Sequence, residues 1–271
     1  PSPAGGKGGG AWVALATLTA SAFAPARDRS RKRGAVVECV TFQEIEVPTR
    51  ILLVRHGATQ LTAEDRFAGS SDIPLSNEGL AQIGRLRMRL SEVPIVAAYA
   101  SPLQRTMESA RILAEPHGLK VQADSALREI DYGRWEGLTR DAVRERFAEE
   151  YALWEEDPLV MAPAGGESGL TVVGRVLPAV RQIVERHRHQ TVLVVSHKGT
   201  NRLLISSLLG FDMRSYRDRL EQSPAALTIL DFLSEVRPRL KLFNDISHYD
   251  AYPKREITDD LSKWSAPLEP S

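Results

Sequence analysis

Ile51-Leu52-Leu53-Val54-Arg55-His56-Gly57 decides how this chain reads. Four apolar residues give way directly to an arginine, a histidine and a glycine. A short unbroken apolar run fits a strand buried on both faces, as in a parallel sheet covered by helices. The arrangement recurs at Val192-Leu193-Val194-Val195-Ser196-His197, followed by Lys198-Gly199-Thr200. Both histidines stand where a strand should end and a loop begin. In an open parallel sheet, ligands bind along that edge. Two histidines and an arginine there point to chemistry on an anionic group, with phosphate the best fit.

Working outward, the pattern alternates. Ser76 suits the cap of a helix running to about Leu90, with Leu80, Ile83, Leu86 and Leu90 near one face. A second strand is expected over 95–100. Ser101-Pro102 then offers a cap and a proline at the first helical position of a helix ending near Glu115. A short strand over 119–123 precedes helices over 139–156 and 168–187. Pro178 lies inside the latter and should kink or split it. A strand over 191–196, a helix over 200–209 and strands over 226–232 and 239–243 complete the series. The fold class is therefore α/β: a three-layer sandwich with a mostly parallel central sheet flanked by helices.

The chain has 271 residues, with 35 basic and 35 acidic side chains, so its formal net charge is zero. That balance gives no support to nucleic-acid or membrane-surface binding as the main task. Cys39 is the single cysteine, which excludes an internal disulfide and a cysteine-rich metal site. No apolar run reaches the length of a membrane span. Residues 1–48 differ from the rest: a glycine-rich start, an Ala/Thr/Ser-rich apolar stretch, then a basic cluster from Arg27 to Arg33. Scarce acids with Ala, Ser and Arg resemble an organellar transit peptide, and a plastid is the leading destination. A secretory signal (Lys7, a short apolar stretch, Ala22-Phe23-Ala24) and an ordinary disordered tail on a cytoplasmic protein are the alternatives. The division is a segment 1–48, a catalytic domain 49–250 and a polar tail 251–271.

Each candidate residue has an ordinary reading beside the functional one. A lone strand-end histidine is usually structural, but Arg55 offers a planar fork for phosphate oxygens, and Gly57 allows close backbone approach. Free amides at the helix start after His197 attract anions. Arg105, in the first turn of a helix, opposes the helix dipole unless an anion is bound. The loop Leu127-Arg128-Glu129-Ile130-Asp131-Tyr132-Gly133-Arg134-Trp135-Glu136-Gly137 supplies three carboxylates, Glu129, Asp131 and Glu136, and sequence does not choose among them. His187 and His189 suit a helix end. No histidine pair has the spacing of a zinc site.

Taken in order, these segments resemble the histidine phosphatase superfamily, in its phosphoglycerate mutase-like branch of small phosphatases. The resemblance rests on Leu53-Val54-Arg55-His56-Gly57-Ala58-Thr59, Arg66-Phe67-Ala68-Gly69, Pro74-Leu75-Ser76, Ser101-Pro102-Leu103-Gln104-Arg105-Thr106, the Glu129 loop, Gly165-Gly166-Glu167-Ser168 and Val195-Ser196-His197, and it covers 49–249. It implies that His56 is the nucleophile and carries a transient phosphate. Arg55, Arg105 and His197 would hold the phosphoryl oxygens, and Glu129 would give and take the proton. Gly57, Thr59, Thr62, Ala68, Gly69 and Lys198 would line the substrate pocket. Three positions depart from the family's habit: Ala58 for Glu, Thr62 for Asn and Ala68 for Ser or Thr.

The cover over the site is short, with residues 151–167 its main part, which favours hydrolysis over mutase transfer. The expected activity is a phosphomonoesterase needing no metal and no cofactor, acting on a small phosphorylated metabolite. A homo-oligomer stays open. A cofactor-dependent mutase and a non-catalytic phospholigand-binding protein are the alternatives. The substrate is not legible; Arg134, Trp135, Arg140 and residues 154–164 are expected to shape the mouth.

Overall fold

The computed structural model describes residues 47–63 and 66–249, without the side chains of 62 and 63. The expected segment 1–48 therefore lies almost wholly outside the described residues, as does the tail 251–271. Six strands occur among the described residues: β1 (Thr49–Arg55), β2 (Ile95–Ala100), β3 (Val121–Ala123), β4 (Thr191–Ser196), β5 (Leu227–Phe232) and β6 (Pro238–Asp245). The helices are α1 (Gln60–Ala63), α2 (Asn77–Leu90), α3 (Gln104–Ala114), α4 (Arg140–Arg146), α5 (Ala148–Glu156), α6 (Gly169–Arg186), α7 (Lys198–Leu209) and α8 (Tyr216–Arg219).

The strands form one sheet in the order β3-β2-β4-β1-β5-β6. The first four are parallel, whereas β5 runs antiparallel to β1 and pairs with β6 as an antiparallel hairpin. The two apolar runs are its central strands, paired in register from Arg50↔Thr191 to Arg55↔Ser196. Their side chains alternate between two cores. Ile51, Leu53, Val192 and Val194 face α6 and α7, through Val172, Val176, Val180, Ile183, Leu203 and Leu204. Leu52, Val54, Leu193 and Val195 face α2 and α3, through Ile83, Leu86, Leu90, Ala110 and Leu113. That double burial is why both strands read as continuous apolar runs rather than as alternation. The molecule is an α/β sandwich of three layers.

Several boundaries depart from the sequence expectation, each for a local reason. Ser76 does cap α2, accepting from the Gly79 amide, but Leu80 is exposed and Gln82 takes its place on the inner face. The helix after β2 starts at Gln104, not at the Ser101-Pro102 pair, and its N-cap residue Leu103 makes no side-chain cap. Ser101 is used elsewhere, as described below. The helix expected over 139–156 is two helices that meet at Phe147, whose backbone (φ −135°, ψ 44°) is not helical. By contrast α6 runs continuously through Pro178. Pro178 and Gly174, four residues before it, both lie on the exposed face, so the carbonyl that loses its amide partner can be hydrated.

Candidate active site

The sheet brings three chain segments to one edge. β1 ends at Arg55 and β4 at Ser196, while Ala100 of β2 pairs with Val195. His56, His197 and Ser101 therefore follow adjacent strand ends. The His56 amide donates to the Ser196 carbonyl at 3.1 Å, and the Ser101 amide to the Val195 carbonyl at 3.1 Å. A cavity of about 340 Å³ opens there. Arg55, His56, Arg105, Glu129 and Lys198 line it.

Nδ1 of His56 lies 2.7 Å from the carbonyl oxygen of Gly57. A carbonyl can only accept, so this contact places the ring proton on Nδ1 and leaves Nε2 with its lone pair. Burial, then the charges of Arg105 and Arg55, push the His56 pKa well below 6.5, against the opposing pull of the Gly57 carbonyl. The ring is thus neutral at physiological pH. His197 is fully buried, 5.2 Å from His56 between ring centroids at 63°. Its Nε2 lies 2.8 Å from Ser101 Oγ, while its Nδ1 is sealed from solvent without a partner. Burial and the charge of Arg105 also hold its pKa well below 6.5.

The two arginines are aimed by carbonyls. Arg55 donates through one Nη to the Gln222 carbonyl at 2.6 Å, and its Nε is buried without a partner. Burial lowers its pKa to about 10, which leaves it charged at neutral pH. Arg105 donates to the carbonyls of Ser71 at 2.6 Å and Gly69 at 2.9 Å. It therefore ties loop 68–71 to the first turn of α3.

The three carboxylates of the 127–137 loop separate by their long-range bonds. Glu136 accepts from the amides of Gly69, Ser70 and Ser71, and so braces the loop that meets Arg105. Asp131 accepts from the Gly133 amide in a local turn. Glu129 alone of the three lines the cavity. Its Oε1 accepts from the amides of Ile130 and Thr200 and from Thr200 Oγ1, and its Oε2 from the Gly199 amide at 2.9 Å. Arg175 of α6 fixes the same loop by donating to the Glu129 carbonyl at 3.0 Å and to both oxygens of Glu167.

The family profile of the histidine phosphatase superfamily (branch 1) matches residues 51–246. The chain belongs to this superfamily. Phosphoserine phosphatase 1 of Hydrogenobacter thermophilus is 35% identical over 167 residues, which is 62% of this chain and 79% of that protein. Adenosylcobalamin/alpha-ribazole phosphatase of Escherichia coli is 32% identical over 161 residues, 59% of this chain and 79% of that protein. Among solved structures, a mycobacterial glucosyl-3-phosphoglycerate phosphatase superposes with a TM-score of 0.65 at 30% identity, covering 72% of this chain and 98% of that one. This histidine phosphatase is accordingly a phosphoric monoester hydrolase.

Within the phosphatase, the expected pocket residues divide. Thr59, Ala68 and Lys198 are part of the cavity wall, whereas Gly57 and Gly69 are not among its residues. Gly57 is bare for packing: a Cβ there would sit 2.5 Å from the Gly79 carbonyl oxygen in α2. A Cβ on Gly69 would meet the Ile130 carbonyl at 1.9 Å. Both glycines let one piece of backbone cross another behind the site. The side chain of Thr62 lies outside the described residues. Of the amides at the start of α7, those of Gly199 and Thr200 are taken by Glu129, while Lys198 is part of the cavity wall.

At the mouth, Arg140 and Trp154 do line the cavity. Arg134 instead pairs with Glu150 at 2.6 Å and lies over the Phe147 ring, and Trp135 is fully buried. Trp135, Tyr151, Trp154, Phe67 and Val143 form a separate small core that holds α4 and α5 over the site. Arg202 and Tyr216, which the sequence reading did not single out, also line the cavity. The available signal was spacing: Arg202 follows Lys198 by four residues on one helix, so the two share a face.

Proposed function

We propose that the protein hydrolyses phosphate monoesters of small metabolites through a phosphohistidine on His56, without a metal ion. The observation that carries this reading is the Nδ1 contact of His56 with the Gly57 carbonyl at 2.7 Å, which leaves Nε2 as a neutral nucleophile beside Arg55 and Arg105 at the cavity. Nε2 attacks phosphorus, the N–P bond forms and the ester P–O bond breaks, while Glu129 gives a proton to the leaving alkoxide. Water then attacks phosphorus and Glu129 takes its proton. The N–P bond breaks, and its electron pair returns to Nε2. Arg55, Arg105 and His197 stabilise the charge on the equatorial oxygens, the task that a metal ion performs in other phosphoryl-transfer sites. Ser101 Oγ already accepts from the Leu103 amide, so its own proton suits His197 Nε2, which leaves Nδ1–H, unpartnered behind the cavity wall, as the donor for a phosphoryl oxygen. The named relatives act on chemically different esters of small metabolites, which supports the substrate class at that level.

The test is direct. The wild-type protein, quenched during turnover of para-nitrophenyl phosphate, should carry an acid-labile phosphate on His56, seen by mass spectrometry under basic conditions. His56→Ala should lose that phosphate and turn over at background rate, and excess EDTA should leave the wild-type rate intact. Wild-type activity in His56→Ala, or an EDTA loss restored by a divalent ion, rejects the mechanism.

A further inference from the structure

Among the described residues, five buried donors in the cavity wall have no acceptor: Nε of Arg55, Arg202 and Arg217, Nε1 of Trp154 and the hydroxyl of Tyr216. Arg55 serves the phosphoryl group, and Arg217 and Trp154 stack on each other at 3.9 Å, which leaves Arg202 and Tyr216 as the pair without a use. Nε of Arg202 is sealed from solvent without a partner. So is the hydroxyl of Tyr216. Both residues line the cavity, Arg202 from α7 and Tyr216 from the start of α8. The two arginines assigned to the phosphoryl group are aimed by carbonyls, Arg55 by that of Gln222 and Arg105 by those of Ser71 and Gly69. The carboxylate of Glu129, which attracts Arg202 through space, is already engaged by the donors of Ile130, Gly199 and Thr200. The stronger attraction comes from Glu221, an exposed residue.

We infer that Arg202 and Tyr216 form a subsite for a carboxylate on the leaving group, so that the preferred substrates are phosphate monoesters carrying a carboxylate a few bonds from the ester oxygen. This rests on the hydrolase reading above and deepens it. The geometry follows from α7. Lys198 begins the helix beside His197, and Arg202 stands four residues on, about 6 Å along the axis on the same face. A second cation therefore stands on the wall of the same cavity about one helical turn beyond Lys198, and its charge is felt at Arg55. A carboxylate is planar, carries one charge and has lone pairs for both a guanidinium and a phenol. A neutral hydroxyl could satisfy Tyr216, yet it would leave the Arg202 charge unpaired. Buried donors without acceptors are costly, so an occupant that satisfies both gains most where the empty site loses most.

The test compares 3-phosphoglycerate with glycerol 3-phosphate, which share the ester and differ in a carboxylate against a hydroxymethyl group. Wild-type kcat/KM should favour the acid by roughly 10²-fold. Arg202→Met should collapse that ratio to within about threefold, Arg202→Lys should recover part of it, and Tyr216→Phe should reduce it by roughly tenfold. A wild-type ratio near one, or a variant in which both esters fall together and the ratio survives, overturns the subsite. Calorimetric titration of the two esters into His56→Ala reads the same preference without turnover. There the acid should bind at least about tenfold tighter, and the added Arg202→Met change should erase the difference. Failure of turnover with this binding preference intact rejects the hydrolase reading and keeps the subsite; equal binding rejects the subsite whatever the turnover.

Discussion

Glu129 has four donors converging on its two carboxylate oxygens, and that fixes what its replacement will do. In Glu129→Gln one oxygen can still serve Ile130 and Thr200, but the new amide nitrogen then faces the Gly199 N–H. Two opposed buried donors should lower stability by about 1–3 kcal/mol, read as a shift of the urea unfolding midpoint. Loss of the acid has a separate signature. An alkyl phosphate leaves as a basic alkoxide and needs a proton, whereas nitrophenolate leaves without one. In the first turnover, followed by rapid quench, Glu129→Gln should slow alkyl phosphate cleavage by roughly 10²-fold more than nitrophenyl phosphate cleavage. Partial unfolding lowers both equally and cannot imitate that ratio. Asp131→Asn and Glu136→Gln should show no such dependence; if either does and Glu129→Gln does not, the acid is misassigned. The sequence could not choose among these three because the choice is made by partners 65 to 71 residues distant. The histidines were legible because each ends an apolar run, a local feature. Arg202 was not, because a helical arginine four residues after a lysine reads as a solvated face until α8 is seen to fold back over it.

At the level of elements, the nucleophile loop is clamped between α2 and α3. The Ala58 carbonyl accepts from the amide and hydroxyl of Ser76, the Ala58 amide donates to Gln82 Oε1, and the Gly57 amide donates to Ser109 Oγ. The clamp works because Gly57 and Gly79 allow the backbones to touch. In Gly79→Ala the new Cβ would stand 2.1 Å from the Ala58 carbonyl oxygen, so the loop must move. This variant should lose about 1–3 kcal/mol of stability and should also lose kcat, since the displaced residue, Ala58, stands two places after His56 in the nucleophile loop. Gly84 in the same helix is the control: nothing lies within 4 Å of its added Cβ. Gly84→Ala should gain about 0.5–1 kcal/mol from helix propensity with kcat unchanged. Parallel urea melts and steady-state rates decide the matter; equal effects at the two sites would show that α2 does not hold the loop. Helix ends carry a related lesson. Ser101-Pro102 has every mark of a cap, yet Ser101 Oγ is at His197 and the helix begins later. Capping preference is a local energy of about 1 kcal/mol, and a tertiary contact of similar size can override it. Strand positions were easier, because double burial imposes apolar residues at every position of β1 and β4.

For the whole molecule, a site built to receive an anion is a liability when empty. Arg55 and Arg105 are crowded near two buried imidazoles that must remain neutral, and this ties folding to pH. In the unfolded chain each histidine takes up a proton near pH 6.5; in the folded protein the pKa values of His56 and His197 lie well below that, burial being the largest cause and the two arginines next for His56. Between the folded and unfolded pKa values the unfolded state binds more protons, so stability is complete above about pH 6.5 and is lost as pH falls below it. Each histidine should withdraw about 1.4 kcal/mol between pH 7.5 and 5.5. His248, which burial beside Arg89 lowers to about 4, adds a further loss to the wild type. Asp157, Glu167 and Asp245, held below the usual carboxylate range, titrate outside this window. Comparison with His197→Gln isolates one imidazole, because the glutamine can keep a bond to Ser101 Oγ and does not titrate. Urea unfolding of the phosphate-free protein should give a pH 7.5 to 5.5 loss that is smaller in His197→Gln by about 1.4 kcal/mol, whatever the absolute stability of the variant. An identical loss in the two proteins would mean that His197 takes up its proton in the folded protein as it does in the unfolded chain, and the neutral pair assigned to this site would then be wrong.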